Sequence, residues 1–201
     1  MIDAFKKPLG ACGEIRSGYP FRGPLKPVAS GGVLVAQMKD IDPFGGLRWE
    51  ALVRTELPGK KAPDWLQLGD ILFVPRGSRF FAASIDAPPE LAVCGPHLVH
   101  LRLRADAGVL PAFLAWQINQ PPLQRQLRAA AEGSSQLSIR IAEIEALQIA
   151  VPPLAQQMRI VVLTEASLRE RQVLTRIIQN REQELASLAN TLALAAGLDT
   201  H

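Results

Sequence analysis

The sequence is poor in the residues that carry metal and redox chemistry. Among 201 residues there are 2 cysteines and 3 histidines. Cys12 and Cys94 form no Cys-x-x-Cys pair and have no histidine pattern beside them, so neither a metal site nor a disulfide framework is signalled and both read as ordinary buried or half-buried thiols. His97, His100 and His201 lack a Ser or Cys in a recognisable nucleophile turn. There is no GxxxxGK[ST] phosphate loop, and no GxGxxG follows a strand, which removes nucleotide hydrolysis. Asp40, Asp42, Asp64 and Asp70 read as scattered loop acids without the acid pair and Glu-x-Lys of a nuclease. Asn119-Gln120-Pro121-Pro122 approaches an Asn-Pro-Pro-aromatic motif, but the inserted Gln120 and the non-aromatic Leu123 spoil it. No apolar run approaches the roughly 18 residues of a membrane span, and MIDAFKKPLG holds no apolar targeting segment. The expectation is a non-catalytic, cytoplasmic chain with no membrane association.

What is present suits a folded domain. Apolar residues make up 48% of the chain, enough for a core, and the net charge of +3 with a pI near 9.1 permits a polyanionic partner. The charge is uneven: 17 basic against 12 acidic residues through Arg140, then 5 against 7 from Ile141 onward. Any polyanion contact therefore belongs to the first part. Residues 10–32 are rich in Gly and Pro and predict irregular structure with at most short strands. GVLVAQMKDI reads as a strand, and LQLGDILFVPRGSRFFAASI reads as two strands joined at RGS. LVHLRLR alternates cleanly, with Val99, Leu101 and Leu103 on one face and a positive stripe of His100, Arg102 and Arg104 on the other. From Pro111 the period becomes helical, the Pro121-Pro122 pair opens a second helix through Arg128, GSSQ breaks it, and LQIAV reads as a last strand. Strands, then helices, then a strand predict an α+β domain with a twisted mixed or antiparallel sheet, over residues 1–151.

Pro152 and Pro153 then make a hard stop and a hard start, because proline ends a strand ladder and suits a helix's first turn. From Leu154 to Ala196 there is no Pro or Gly, so residues 152–201 predict one long helix, roughly 60 Å at about 1.5 Å per residue. Leu174, Ile178, Leu185, Leu188, Leu192 and Ala195 follow a 4-3-4-3 spacing with Arg181 out of character, a coiled-coil seam. Leu154, Met158, Val161 and Leu168 lie on a slightly rotated stripe upstream. The competing reading is a helix packed on its own core.

The LxxGDILF strand-turn, the Gly77-Ser78 loop, the GSS at 133–135 and Val151-Pro152-Pro153-Leu154-Ala155-Gln156-Gln157 with Ile160-Val161 together resemble the specificity subunits of Type I restriction-modification systems. Gln156 stands where that family usually has Glu. The resemblance covers nearly the whole chain, but a full member carries two target-recognition domains and two long helices, and these residues supply one of each. It implies a half-length specificity subunit that binds double-stranded DNA and directs a DNA methyltransferase subunit, with a restriction translocase as a further partner. It also implies no cofactor in this chain, the methyl donor being held by the methyltransferase. Two copies paired through the helix would place identical readers on an interrupted palindrome. The interface expected for that homodimer is Leu154, Met158, Val161, Leu168, Leu174, Ile178, Leu185, Leu188 and Leu192.

DNA contacts need Lys, Arg, hydroxyls or planar amides. The candidates are Arg76, Ser78 and Arg79 in the PRGSR loop; Ser134, Ser135 and Gln136 with Arg128 and Arg140 about them; Lys39, Lys60 and Lys61; and Arg102 and Arg104 of the stripe. Each has a competing reading as ordinary solvated surface, and the stripe is either DNA-facing or the wet side of a sheet. Two other functions stay open: a DNA-processing enzyme with an unrecognised site, and a helix-driven scaffold without DNA reading.

Overall fold

Ile71, Leu72, Phe73 and Val74 are all buried, which a strand achieves only when both faces of its sheet are covered. The computed structural model describes residues 5–42, 46–58, 62–77, 79–133 and 137–195, and it shows how that cover arises. Strands β1 (Phe5–Pro8), β2 (Gly13–Ser17), β3 (Val33–Ala36), β4 (Ile41–Asp42), β5 (Gly46–Leu47), β6 (Val53–Thr55), β7 (Ile71–Val74), β8 (Phe81–Ser84), β9 (Ala92–Cys94) and β10 (Val99–Leu103) come first. Helices α1 (Pro111–Ile118), α2 (Pro121–Ala130) and α3 (Ile141–Ala146) follow, then β11 (Gln148–Val151) and α4 (Leu154–Ala195). The fold is α+β, as the order of sequence signals predicts. α3 is the addition: Ile141 and Ile144 lie one turn apart, and Ile144 is fully buried.

The central sheet is antiparallel in the order β2-β10-β7-β8. Ile71 and Phe73 point to one side, into a cluster with Phe80, which precedes β8, and with Phe113, Leu114, Ile118, Leu127 and Ile144 from the helical layer. Leu72 and Val74 point to the other, against Leu34, Ala36, Ala92 and Cys94 of a second sheet ordered β6-β3-β9, in which β3 and β9 run parallel. Burying each such side chain contributes about 1.5–3 kcal/mol. The sheets approach so closely at one crossing that a Cβ on Gly18 would sit 1.8 Å from the Gly95 carbonyl oxygen, so glycine is required there.

Side-chain amides finish the strand edges. The Asn119 amide accepts from the Ala82 N–H (2.9 Å) and donates to the Ala82 carbonyl (2.8 Å), acting as a one-residue partner strand for the edge of β8. Gln117 treats Ala150 of β11 the same way, at 3.1 and 2.9 Å, and Gln126 treats Gln148, at 3.0 and 3.3 Å. β11 pairs with β1 on its other edge. Exposed strand edges invite unwanted pairing, and these amides occupy them.

The proline joint forms as read: β11 ends at Val151, α4 begins at Leu154, and the Pro153 carbonyl accepts from the Gln156 and Gln157 N–H groups. Gln157 is fully buried. Its Oε1 accepts from the Leu110 N–H, and its Nε2 donates to the Gly108 and Pro152 carbonyls, each at 2.8 Å. The chain divides into two compact units, Met1–Val161 and Val162–His201, so the first turns of α4 belong to the globular unit rather than to the separate helix expected from residue 152. Val161, placed by its spacing on the association stripe, is instead buried in the globular core. In the second unit, Leu174, Ile178, Leu185, Leu188 and Leu192 are exposed, Leu168 is half-buried, and Val173 and Ile177 widen the apolar face.

Candidate nucleic-acid interface

Two loops far apart in the sequence meet in space. After β7, Arg76 pairs antiparallel with Ser138, the Gly77 N–H donating to the Leu137 carbonyl (3.1 Å) and the Ile139 N–H to the Pro75 carbonyl (3.0 Å). On its other side Ser138 pairs with Glu132, closed by hydrogen bonds of 2.9 and 2.8 Å. Arg76, Ser138 and Glu132 thus stand in a row across three short extended segments, and side chains directly opposite in antiparallel pairs share a face. Arg140, two residues beyond Ser138 in extended backbone, shares that face, while Ile139 between them is buried in the core. Its guanidinium reaches the Glu132 carboxylate at 2.7 Å and lies 3.9 Å from Glu143. Arg128 is exposed near the end of α2, and Arg79 is exposed beyond the first loop. Arg76, Ser138, Arg140 and Glu132 thus make a face with two exposed guanidiniums, one hydroxyl and a flanking carboxylate, suited to binding a polyanion.

The sequence named these two loops separately, and the backbone pairing unites them. Ser78, Ser134, Ser135 and Gln136 lie outside the described residues, as do Lys60 and Lys61. Glu132 was missed, because nothing in its local sequence marks it as the partner of Arg140. Lys39 is exposed at the rim of a separate, largely apolar cleft of about 320 Å³ whose walls include Phe21, Met38 and Pro96, and its carbonyl accepts from Arg48 (2.6 Å).

The β10 stripe is not one continuous wet face. His100 pairs in register with Leu72, so it points between the two sheets and is only 3% exposed. Its Nε2 lies 2.7 Å from Asp70 Oδ2, out of line for a hydrogen bond, and its Nδ1 lies 3.6 Å from Asp64. Arg102, half-buried, donates to both Asp70 oxygens (2.8 and 2.7 Å), to Asp64 (3.0 Å) and to the Trp65 carbonyl (2.6 Å). Asp70, read as a loop acid, is therefore a buried structural group. Burial pushes its carboxyl up, but the Arg102 hydrogen bonds and the adjoining His100 outweigh that and hold it below the usual carboxylate range. Arg104 is exposed, bonded to the Ala11 carbonyl and 3.4 Å from Asp106. The alternation is real, but the second sheet covers one end of the stripe. Both cysteines are buried and free; burial raises the Cys12 thiol against the pull of Lys7, and burial with the Asp70 and Asp64 charges raises Cys94.

No family model matches the sequence, nor does any curated protein. Solved structures do match. The chain superimposes on the S subunit of a Type I restriction-modification system from M. genitalium with a TM-score of 0.57 at 17% identity, over 90% of this chain and 43% of that one. The fold is that of part of a Type I S subunit. The HsdS subunit from Thermoanaerobacter tengcongensis gives 0.59 at 21% identity, over 96% and 48%. A chain from a study of complex assembly and conformational transition in the type I restriction-modification system gives 0.62 at 20%, over 92% and 43%. This chain thus spans less than half the length of these S-subunit structures. Among the described residues, no helix is long and apolar enough to cross a membrane.

Proposed function

We propose that the chain is a DNA-reading specificity component of a Type I restriction-modification system. Its globular unit binds one half of a split duplex target, and its helix pairs with that of a second copy. The assembly positions a methyltransferase subunit, which holds the methyl donor and does the chemistry, and a translocase subunit is a further partner. The observation that carries the reading is the cationic face made by Arg76 and Arg140 on a domain with the S-subunit fold. Phosphates demand guanidiniums and hydroxyls on one accessible surface, and the Arg76-Ser138 pairing provides that arrangement. Arg102 is the weakest of the sequence candidates, because its donors are already occupied by Asp64 and Asp70. The exposed Leu174–Leu192 seam supports pairing of copies, since a helix of this length burying no apolar stripe is costly in water.

The test is selection from a random duplex pool at near-physiological salt, with the chain alone and with a candidate methyltransferase subunit. The expected result is enrichment of an interrupted palindrome. Enrichment of one half-site keeps the reader and removes the homodimer. A pool left unchanged in both samples replaces the reading with a scaffold role.

A further inference from the structure

The face that presents Arg76 and Arg140 also carries an acid in a position that an anion-binding surface does not need. Glu132 is 64% exposed, sits at the end of the row Arg76, Ser138, Glu132, and holds the Arg140 guanidinium at 2.7 Å. Its own backbone is fixed by two hydrogen bonds to Ser138, which holds the base of its side chain beside the strand that leads to Arg140. An arginine already engaged by a carboxylate has to give up that partner before it meets a phosphate. An exposed pair of this kind is weak, so the exchange is easy for a phosphate held in register and unrewarded for one that is not.

We infer that Glu132 is a specificity-determining residue: its carboxylate occupies Arg140 in the free chain and on unrelated DNA, and yields it only to a phosphate of a correctly seated target. This rests on the DNA-reading function proposed above. Arg76, opposite Ser138 on the far side of the row, enters no ion pair among the described residues and supplies a phosphate contact on any duplex. The surface thereby separates a contact that is always available from one that is conditional. The consequence is lower affinity for unrelated DNA with little loss at the target, which is how a ratio of affinities is raised by a competing interaction rather than by a new attractive one.

The experiment is a double-mutant cycle on the full chain, combining E132Q and R140Q, with binding measured against salt on an unrelated duplex and on the duplex recovered by selection. On unrelated DNA, E132Q is expected to tighten binding about fivefold and to steepen the dependence of log K on log salt by about 0.9, one additional phosphate contact. In the R140Q background E132Q is expected to change binding less than twofold. On the selected duplex, E132Q is expected to leave the salt slope unchanged, because Arg140 has already exchanged. Glu143→Gln, which removes an equal charge farther from Arg140, serves as the control for the general field and is expected to leave the slope unchanged on both duplexes. An E132Q gain that is the same with and without Arg140, or the same slope change on both duplexes, overturns the inference while leaving DNA reading intact. Failure of the unmodified chain to bind any duplex overturns the function and this inference together.

Discussion

Gln157 illustrates how much one buried side chain decides. Its fully buried amide satisfies a backbone N–H at Leu110 and two carbonyls, at Gly108 and Pro152. Gln157→Leu keeps the volume but strands all three groups, and is expected to destabilise the globular unit by about 2–3 kcal/mol in urea titration. Gln157→Glu is expected to cost at least as much, because it loses both donated hydrogen bonds and buries a charge. Asp70 shows the same logic in a titratable group. Its folded carboxyl is held below the unfolded value of about 3.9, so its contribution is fully present above that pH and is lost as pH falls through the lower folded value. The stability gap between the native chain and Asp70→Asn, measured by urea titration, is therefore expected to be large at pH 7 and to shrink on acidification below about pH 4. The sequence showed Gln157 as part of a motif and Asp70 as a turn acid. It gave no sign of the distant groups each would touch, since Leu110 and Gly108 lie 47 and 49 residues from Gln157, and Arg102 lies 32 from Asp70.

Elements were more legible than partners wherever a local period or a breaker governed them. Pro111, Pro121 and the Pro152-Pro153 pair each mark an observed boundary, and the alternation in Val99–Leu103 is an observed strand. α3 escaped because six residues give too few turns for a helical period to stand out. The faces of β10 were misread at one end because period 2 separates two faces but cannot say which is covered; only the β6-β3-β9 sheet decides that His100 is inside. On α4 the spacing placed Val161 with the outward stripe, and the close of the globular core claimed it instead. The remaining seam is open to a direct check. Substituting Leu185 and Leu188 together by Lys is expected to shift the chain from dimer to monomer in sedimentation at micromolar concentration, while the thermal transition of the globular unit moves by no more than a few degrees.

For the molecule as a whole, the charge distribution read from the sequence and the surface found in the structure converge on the region before Ile141. If Arg76 and Arg140 both meet phosphates at the target, the R76Q and R140Q variants are each expected to lower the salt slope by about 0.9 in fluorescence anisotropy, and the double variant by about 1.8. A chain whose binding ignores salt contradicts the proposed interface. The amides of Gln117, Asn119, Gln126 and Gln157 bear on a different property, which is tolerance to sequence change. Each grips main chain rather than side chain, so the positions they hold, Ala82, Gln148, Ala150, Gly108 and Leu110, are released from supplying any matching group of their own. In a saturation library the helix amides are thus the rigid vocabulary of the domain, and the strand positions facing them are constrained only by packing. A lineage carrying this architecture is free to rewrite much of its sheet while leaving four amide letters in place.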